Sequence, residues 1–212
     1  MKYIYLHGLG QTPDSWNRVL GYLNASTDGI CPDLAKLVRG REANYPDLYA
    51  AFSALCDAIN DDFALCGLSL GGVLALNYTI DHPEKVKFLV LIATPYKMPK
   101  QLLRLQNILF RFMPKSAFSQ NGFQKADFIR LCRSMAELDL SRSLSRVACP
   151  VLVLCGENDR ANLRACKMLS HLLPDAKFRL VPGAGHEVNV DAPEALAKIL
   201  HENWNGTRKR AE

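Results

Sequence analysis

No apolar run in the 212 residues approaches the roughly 18 to 20 that a membrane helix needs, so the chain is not expected to span a bilayer. Nor does a basic region followed by a long greasy segment and a cleavage site open the chain. Met1-Lys2-Tyr3-Ile4-Tyr5-Leu6 goes straight into a strand-like run, and secretion is not expected. CxxC and CxxH pairs are absent, which argues against zinc, and no metal is expected. There is no internal repeat and no low-complexity tract, and the length suits one domain with an insertion.

The seven cysteines are an odd number, and several sit inside apolar runs such as Ala64-Leu65-Cys66 and Val153-Leu154-Cys155. A thiol there behaves as a small core hydrophobe, and a reducing cytoplasm is the expected location. Net charge is +5, but it is unevenly spread: Thr94 to Cys149 holds ten Lys or Arg against three acids, and the remainder 16 against 18. One insertion is basic and the body is not. That insertion lacks interleaved aromatics suited to stacking bases, so nucleic acid is not expected as a partner.

Apolar runs of strand length alternate with segments of helical period, the pattern of a mostly parallel sheet covered by helices on both faces. The expected strands are Tyr3 to Leu6, Gly29 to Cys31, Phe63 to Cys66, Lys87 to Ile92, Val151 to Cys155 and Lys177 to Val181. Helices are expected over Asp14 to Leu23, Pro46 to Ile59, Leu70 to Ile80, Ala161 to Leu173 and Pro193 to Trp204. The gap between Ile92 and Val151 is far longer than one helix and its loops require. It reads as a helical cap inserted at 94–149 into a core formed by 1–93 and 150–206, with a basic tail at 207–212 expected to fray. Within the cap, Gln101 to Met113 carries an amphipathic stripe ended by Pro114, and a second helix is expected from Gln124 to Glu137.

The strongest chemical signal is Phe63-Ala64-Leu65-Cys66-Gly67-Leu68-Ser69-Leu70-Gly71-Gly72, a strand running through G-x-S-x-G into a helix. The glycines allow a very sharp turn that pushes the serine out above the sheet. A serine hydroxyl needs a positioned base. His82 beside Pro83, His171 within a helix and His201 in the terminal helix suit surface or packing roles. His186, in Pro182-Gly183-Ala184-Gly185-His186-Glu187, stands past the last strand at the carboxyl edge, where open parallel sheets place their sites. The base needs a carboxylate, and Asp159 in Gly156-Glu157-Asn158-Asp159 is chosen; Glu157 competes, and Asp191 and Glu187 are weaker. Asp159 reads equally as a helix N-cap. Backbone N–H groups of Leu9, in His7-Gly8-Leu9-Gly10, and of Leu70 are assigned to an oxyanion hole.

Over nearly its whole length the chain resembles an α/β-hydrolase-fold serine hydrolase. The resemblance rests on His7-Gly8-Leu9-Gly10 with Trp16 behind it, Gly67-Leu68-Ser69-Leu70-Gly71-Gly72, Gly156-Glu157-Asn158-Asp159 and Gly185-His186. It implies a central sheet, a cap over the site, a Ser69, Asp159, His186 triad, an acyl-enzyme and no cofactor. Most of the family begins with two antiparallel strands ahead of the one at Tyr3, and their absence would leave a sheet edge that a second copy of the chain could cover. The expected substrate is a small-molecule ester or thioester of a small to medium acyl group. Carbon–carbon bond hydrolysis or lyase chemistry with the same triad, or ligand binding without turnover, are the alternatives. A substrate pocket is expected from His7, Leu105, Leu109, Phe112 and Met113, with Lys97, Lys100, Arg104 and Arg111 as a basic rim, although His7 also reads as ordering its loop. The apolar stripe is equally able to pack the cap onto the body, so membrane contact is not expected.

Overall fold

The computed structural model describes residues 1–23, 29–98 and 122–208. In chain order these form β1 (Lys2–Leu6), a 3-10 turn at Pro13–Trp16, α1 (Asn17–Tyr22), β2 (Gly29–Ile30), α2 (Leu34–Leu37), α3 (Tyr45–Asp57), β3 (Phe63–Leu68), α4 (Leu70–Asp81) and β4 (Val86–Ile92). Then come α5 (Lys125–Ser134), a 3-10 turn at Ser141–Arg146, β5 (Val151–Gly156), α6 (Arg160–Leu172), β6 (Ala176–Val181), α7 (Val188–Asp191) and α8 (Pro193–Arg208).

Alternation along β1 separates two cores: Tyr3 and Tyr5 face one side of the sheet, Ile4 and Leu6 the other. Every residue of β3 and β5 is buried, and all of β4 but Lys87, which is why these strands read as continuous apolar runs. The sheet has six strands in the order β2-β1-β3-β4-β5-β6, and every pairing is parallel. All six expected strands are present, with ends shifted by no more than two residues. Helices α3, α4 and α6 pack on the Ile4 side through residues such as Phe52, Leu74 and Leu169. Val19 of α1 and Leu196, Leu200 and Trp204 of α8 cover the Tyr3 side.

Departures from the expected helices have local causes. Pro13 closes a 3-10 turn before α1, so the Asp14 to Leu23 helix is split. Helix α3 starts one residue early because Asn44 caps it, accepting from Asp47 N at 2.9 Å. The helix expected from Gln124 to Glu137 ends at Ser134, whose hydroxyl accepts from Tyr45 N at 2.8 Å. Helix α8 takes in Thr207 and Arg208, two residues of the expected frayed tail, beyond a last buried turn in which Trp204 packs 4.4 Å from Tyr3. The expected helix Gln101 to Met113 lies outside the described residues.

Helix α4 runs directly behind β3 and is buried nearly all round. Its second residue, Gly71, lies so close to the sheet that a Cβ there would sit 2.4 Å from the Leu6 carbonyl oxygen. Backbone in the middle of a parallel sheet cannot yield to it. Gly71→Ala is therefore expected to cost about 3 to 4 kcal/mol, beyond ordinary overpacking, read as a lower urea midpoint. Gly21→Ala is the control: nothing lies within 4 Å of a Cβ there, and alanine in α1 is expected to stabilise by about 0.5 kcal/mol.

Candidate active site

Four segments meet at the carboxyl edge of the sheet: the turn after β1, the elbow after β3, the turn after β5 and the loop after β6. Ser69 occupies the elbow at φ 52°, ψ −113°, a left-handed-side conformation that a non-glycine residue adopts only under constraint. The constraint is visible on both sides. Ser69 N donates to Ile92 O at 2.9 Å, and Ser69 O accepts from Val73 N at 2.9 Å as the first bond of α4. The ladder continues one strand further, where Ala93, itself at φ 48°, donates to Leu154 O at 2.9 Å. The elbow is thereby tied to the end of β5, which Asp159 follows by three residues. Ser69 is half-buried.

Asp159 is buried, its side chain 4% exposed, and its Oδ2 lies 2.9 Å from His186 Nδ1. The same carboxylate also caps α6, with Oδ1 accepting from Asn162 N at 3.3 Å. One carboxylate thus faces the imidazole through Oδ2 and the start of α6 through Oδ1. The Asn162 amide donates to both oxygens, at 2.9 and 2.8 Å, and its nitrogen lies 3.2 Å from His186 Nδ1. Both donor groups of Asn162 therefore converge on the carboxylate and fix the plane in which it meets the imidazole. Asn162 was not anticipated, although its place three residues after an N-cap aspartate was a readable signal.

The competing acids are occupied elsewhere. Glu157 Oε2 accepts from Gly183 N at 3.0 Å and Asp191 Oδ2 from Gly185 N at 2.8 Å, so both hold the loop that carries His186. Glu187 is exposed. Asn158 N donates to Ala184 O at 2.8 Å, which seats that loop directly on the turn after β5.

The turn after β1 runs against the elbow: a Cβ on Gly8 would stand 3.7 Å from Ser69 Cβ. Gly8 O accepts from Gln11 N at 3.2 Å, closing a turn in which Gly10 takes φ 94°. It also accepts from His7 Nδ1–H at 2.9 Å. Because the peptide linking Gly8 to Leu9 is trans, the Leu9 N–H is directed opposite to that doubly bonded carbonyl, away from the turn's own hydrogen bonds. Leu70 N, the first N–H of α4, belongs to a helix N-terminus adjoining Ser69.

His7 does not line a pocket, contrary to expectation. It is 1% exposed, and while Nδ1 serves Gly8, Nε2 accepts from Leu34 N at 3.2 Å, so both ring nitrogens are consumed inside the protein. Accepting at Nε2 requires a neutral ring, and burial lowers its pKa below the ordinary 6.5, outweighing the Gly8 hydrogen bond and the Asp33 charge. An unfolded chain binds a proton at His7 more readily than the folded one. The stability due to this residue is thus complete above about pH 6.5 and lost as pH falls below it. Urea midpoints at pH 7.5 and 5.5 are expected to drop toward the lower pH, by less in His7→Gln than in the natural protein.

Helix α5 packs on this turn: Phe128 lies 3.6 Å from where a Gly10 Cβ would be, and Gly122 stands over Ala35 and Thr12. The expected pocket residues Leu105, Leu109, Phe112 and Met113, and the rim residues Lys100, Arg104 and Arg111, lie outside the described residues. Lys97 is exposed. Its ammonium pairs with Asp139 at 2.8 Å and holds that carboxyl well below the usual range.

A family model described as "Alpha/beta hydrolase family" matches residues 4–199. Among curated relatives, a pimeloyl-(acyl-carrier protein) methyl ester esterase of Aromatoleum aromaticum is 28% identical, the match covering 96% of this chain and 98% of that one. Among solved structures, a thermophilic esterase from Thermogutta terrifontis superposes with a TM-score of 0.79 at 20% identity, over 98% of this chain and 90% of that one. The enol-lactonase from Burkholderia xenovorans LB400 gives 0.81 at 15% identity, over 96% and 91%. These structural likenesses are likenesses of fold. With the family model spanning almost the full length of a six-stranded parallel sheet whose strand ends gather Ser69, Asp159 and His186, the chain belongs to the alpha/beta hydrolase family.

Proposed function

We propose that the protein is a serine hydrolase that cleaves carboxylic esters or thioesters of small to medium acyl groups through an acyl-enzyme. The observation that carries this reading is the 2.9 Å contact between His186 Nδ1 and the buried Asp159 carboxylate, at the sheet edge where Ser69 is held at positive φ. Donating Nδ1–H to Asp159 leaves Nε2 with its lone pair, the form a general base needs. Ser69 Oγ attacks the carbonyl carbon while His186 Nε2 takes its proton. The oxyanion receives the N–H groups of Leu9 and Leu70. Collapse breaks the bond to the leaving group, which takes the proton from His186, and His186 then deprotonates the water that releases the acid.

Residues 94–149 act in this reading as a cap, supported by the packing of α5 on the turn that carries Leu9. Ester cleavage is also what the name of the 28% identical relative describes. A cytoplasmic setting is supported by seven free cysteines, six of them buried.

Intact-mass spectrometry after treatment with a small fluorophosphonate tests the reading. One adduct per chain is expected, absent in Ser69→Ala, and a panel of p-nitrophenyl and acyl-CoA esters of increasing chain length then measures the acyl pocket. A well-folded protein that takes no adduct would overturn it.

A further inference from the structure

Gln11 and Asn189, 178 residues apart, are buried against each other, 7% and 0% exposed. Their amides exchange hydrogen bonds in both directions: Gln11 Nε2 donates to Asn189 Oδ1 at 3.1 Å, and Asn189 Nδ2 donates to Gln11 Oε1 at 3.2 Å. Each amide is also attached to one side of the site. Gln11 Oε1 accepts from Gly8 N at 3.2 Å, in the turn that directs the Leu9 N–H. Asn189 lies three residues beyond His186 in α7, the short helix whose Asp191 holds Gly185 N at 2.8 Å. Ser15 completes the unit, its hydroxyl donating to Gln11 Oε1 at 3.3 Å and accepting from Asn189 Nδ2 at 3.0 Å.

A buried polar pair is costly unless satisfied, and an apolar pair of the same shape would serve packing as well. What an apolar pair could not do is fix, at hydrogen-bond tolerance, the separation between the segment carrying an oxyanion donor and the segment carrying the base. We infer that Gln11 and Asn189 are positioning residues that set the register of the Leu9 N–H against His186. The inference rests on the serine-hydrolase reading above. Neither residue is held to touch the substrate. Both act through Gly8 and through the His186 loop, and they are used in the transition state, where a misplacement of about 1 Å costs of order 100-fold.

The test uses Gln11→Met, Asn189→Leu and the double variant, each with the same number of side-chain heavy atoms as, or one fewer than, the original, with p-nitrophenyl butyrate as substrate and a trifluoromethyl ketone as transition-state mimic. Each single variant orphans a buried amide and is expected to lose stability, whereas the double removes both amides and recovers part of the melting temperature, the remainder being lost with the acceptor of Gly8 N. The expected result is that kcat nevertheless stays about 10- to 100-fold low in the double variant, with KM within about threefold and the inhibition constant of the ketone rising in step with the loss in kcat/KM. Recovery of kcat together with the melting temperature, or a change confined to KM, would overturn the inference. A double variant that fails to fold also overturns it, by making the pair a requirement of the fold alone. Fluorophosphonate labelling of the natural protein separates the two levels. A Ser69 adduct with unchanged kcat in folded variants sinks only the positioning role, whereas no adduct sinks the parent reading and this inference with it.

Discussion

Ser69→Ala is expected to lower kcat on an ester substrate by roughly 10⁶-fold while moving the melting temperature by no more than a few degrees. The rate loss follows from removing the only atom placed to form the acyl bond in the proposed mechanism. The unchanged stability follows from geometry. Alanine keeps the Cβ that packs against the turn after β1, and it inherits the same φ of 52° without relief. This fold already holds an alanine at positive φ, Ala93 at 48°, at the end of the neighbouring strand. Ser69→Gly separates strain from chemistry. Glycine adopts positive φ freely, so that variant is expected to be as inactive as alanine but more stable than the natural protein, by about 1 kcal/mol. Thermal unfolding beside ester hydrolysis reads both effects, and a Ser69→Gly variant no more stable than Ser69→Ala would show that the elbow stores no strain.

The elbow was legible in the sequence because its geometry admits few residue types: a strand cannot turn so sharply into a buried helix without small residues, and Gly71 beside the Leu6 carbonyl shows how little room there is. The central strands were legible because burial on both faces leaves no polar position to blur the run. The choice of acid was less so. Glu157 and Asp159 share the turn after β5 and Asp191 ends α7 close by, and only hydrogen bonding separates them, the first and last being held by Gly183 N and Gly185 N. Helices α2 and α7, of four residues each, are too short for a 3.6-residue period to repeat, although Asp33 before α2 is a readable cap that accepts from Ala35 N and Lys36 N. Gln11 and Asn189 left no local trace. Each alone reads as a polar loop residue, and their meaning lies in a contact spanning 178 positions. The pairing of Lys97 was equally hidden, since a count of basic residues does not show that one of them is matched to Asp139.

The assignment of the acid leads to the second large effect, a fall of roughly 10⁴-fold in kcat for Asp159→Asn with little change in stability. Asparagine caps a helix about as well as aspartate, so the bond to Asn162 N and the start of α6 survive. What changes is the face presented to His186. The natural carboxylate accepts Nδ1–H at 2.9 Å and, in the proposed mechanism, leaves the Nε2 lone pair for the serine proton. An amide in its place either turns its NH₂ toward Nδ1, which moves the ring proton to Nε2 and removes the base, or offers a neutral oxygen that stabilises the imidazolium far less. Asn162 decides between them: its backbone N–H donates to Oδ1 alone, so the amide oxygen of an asparagine stays on that side and the NH₂ turns toward the histidine. The wrong tautomer is the expected result, visible as a loss in kcat that raising the pH does not restore. Glu157→Gln is the matched control, since its amide oxygen still accepts from Gly183 N and its activity is expected to stay within about twofold of the natural protein. Equal losses from the two substitutions would mean that the carboxylates act together to hold the loop and that neither alone serves the base.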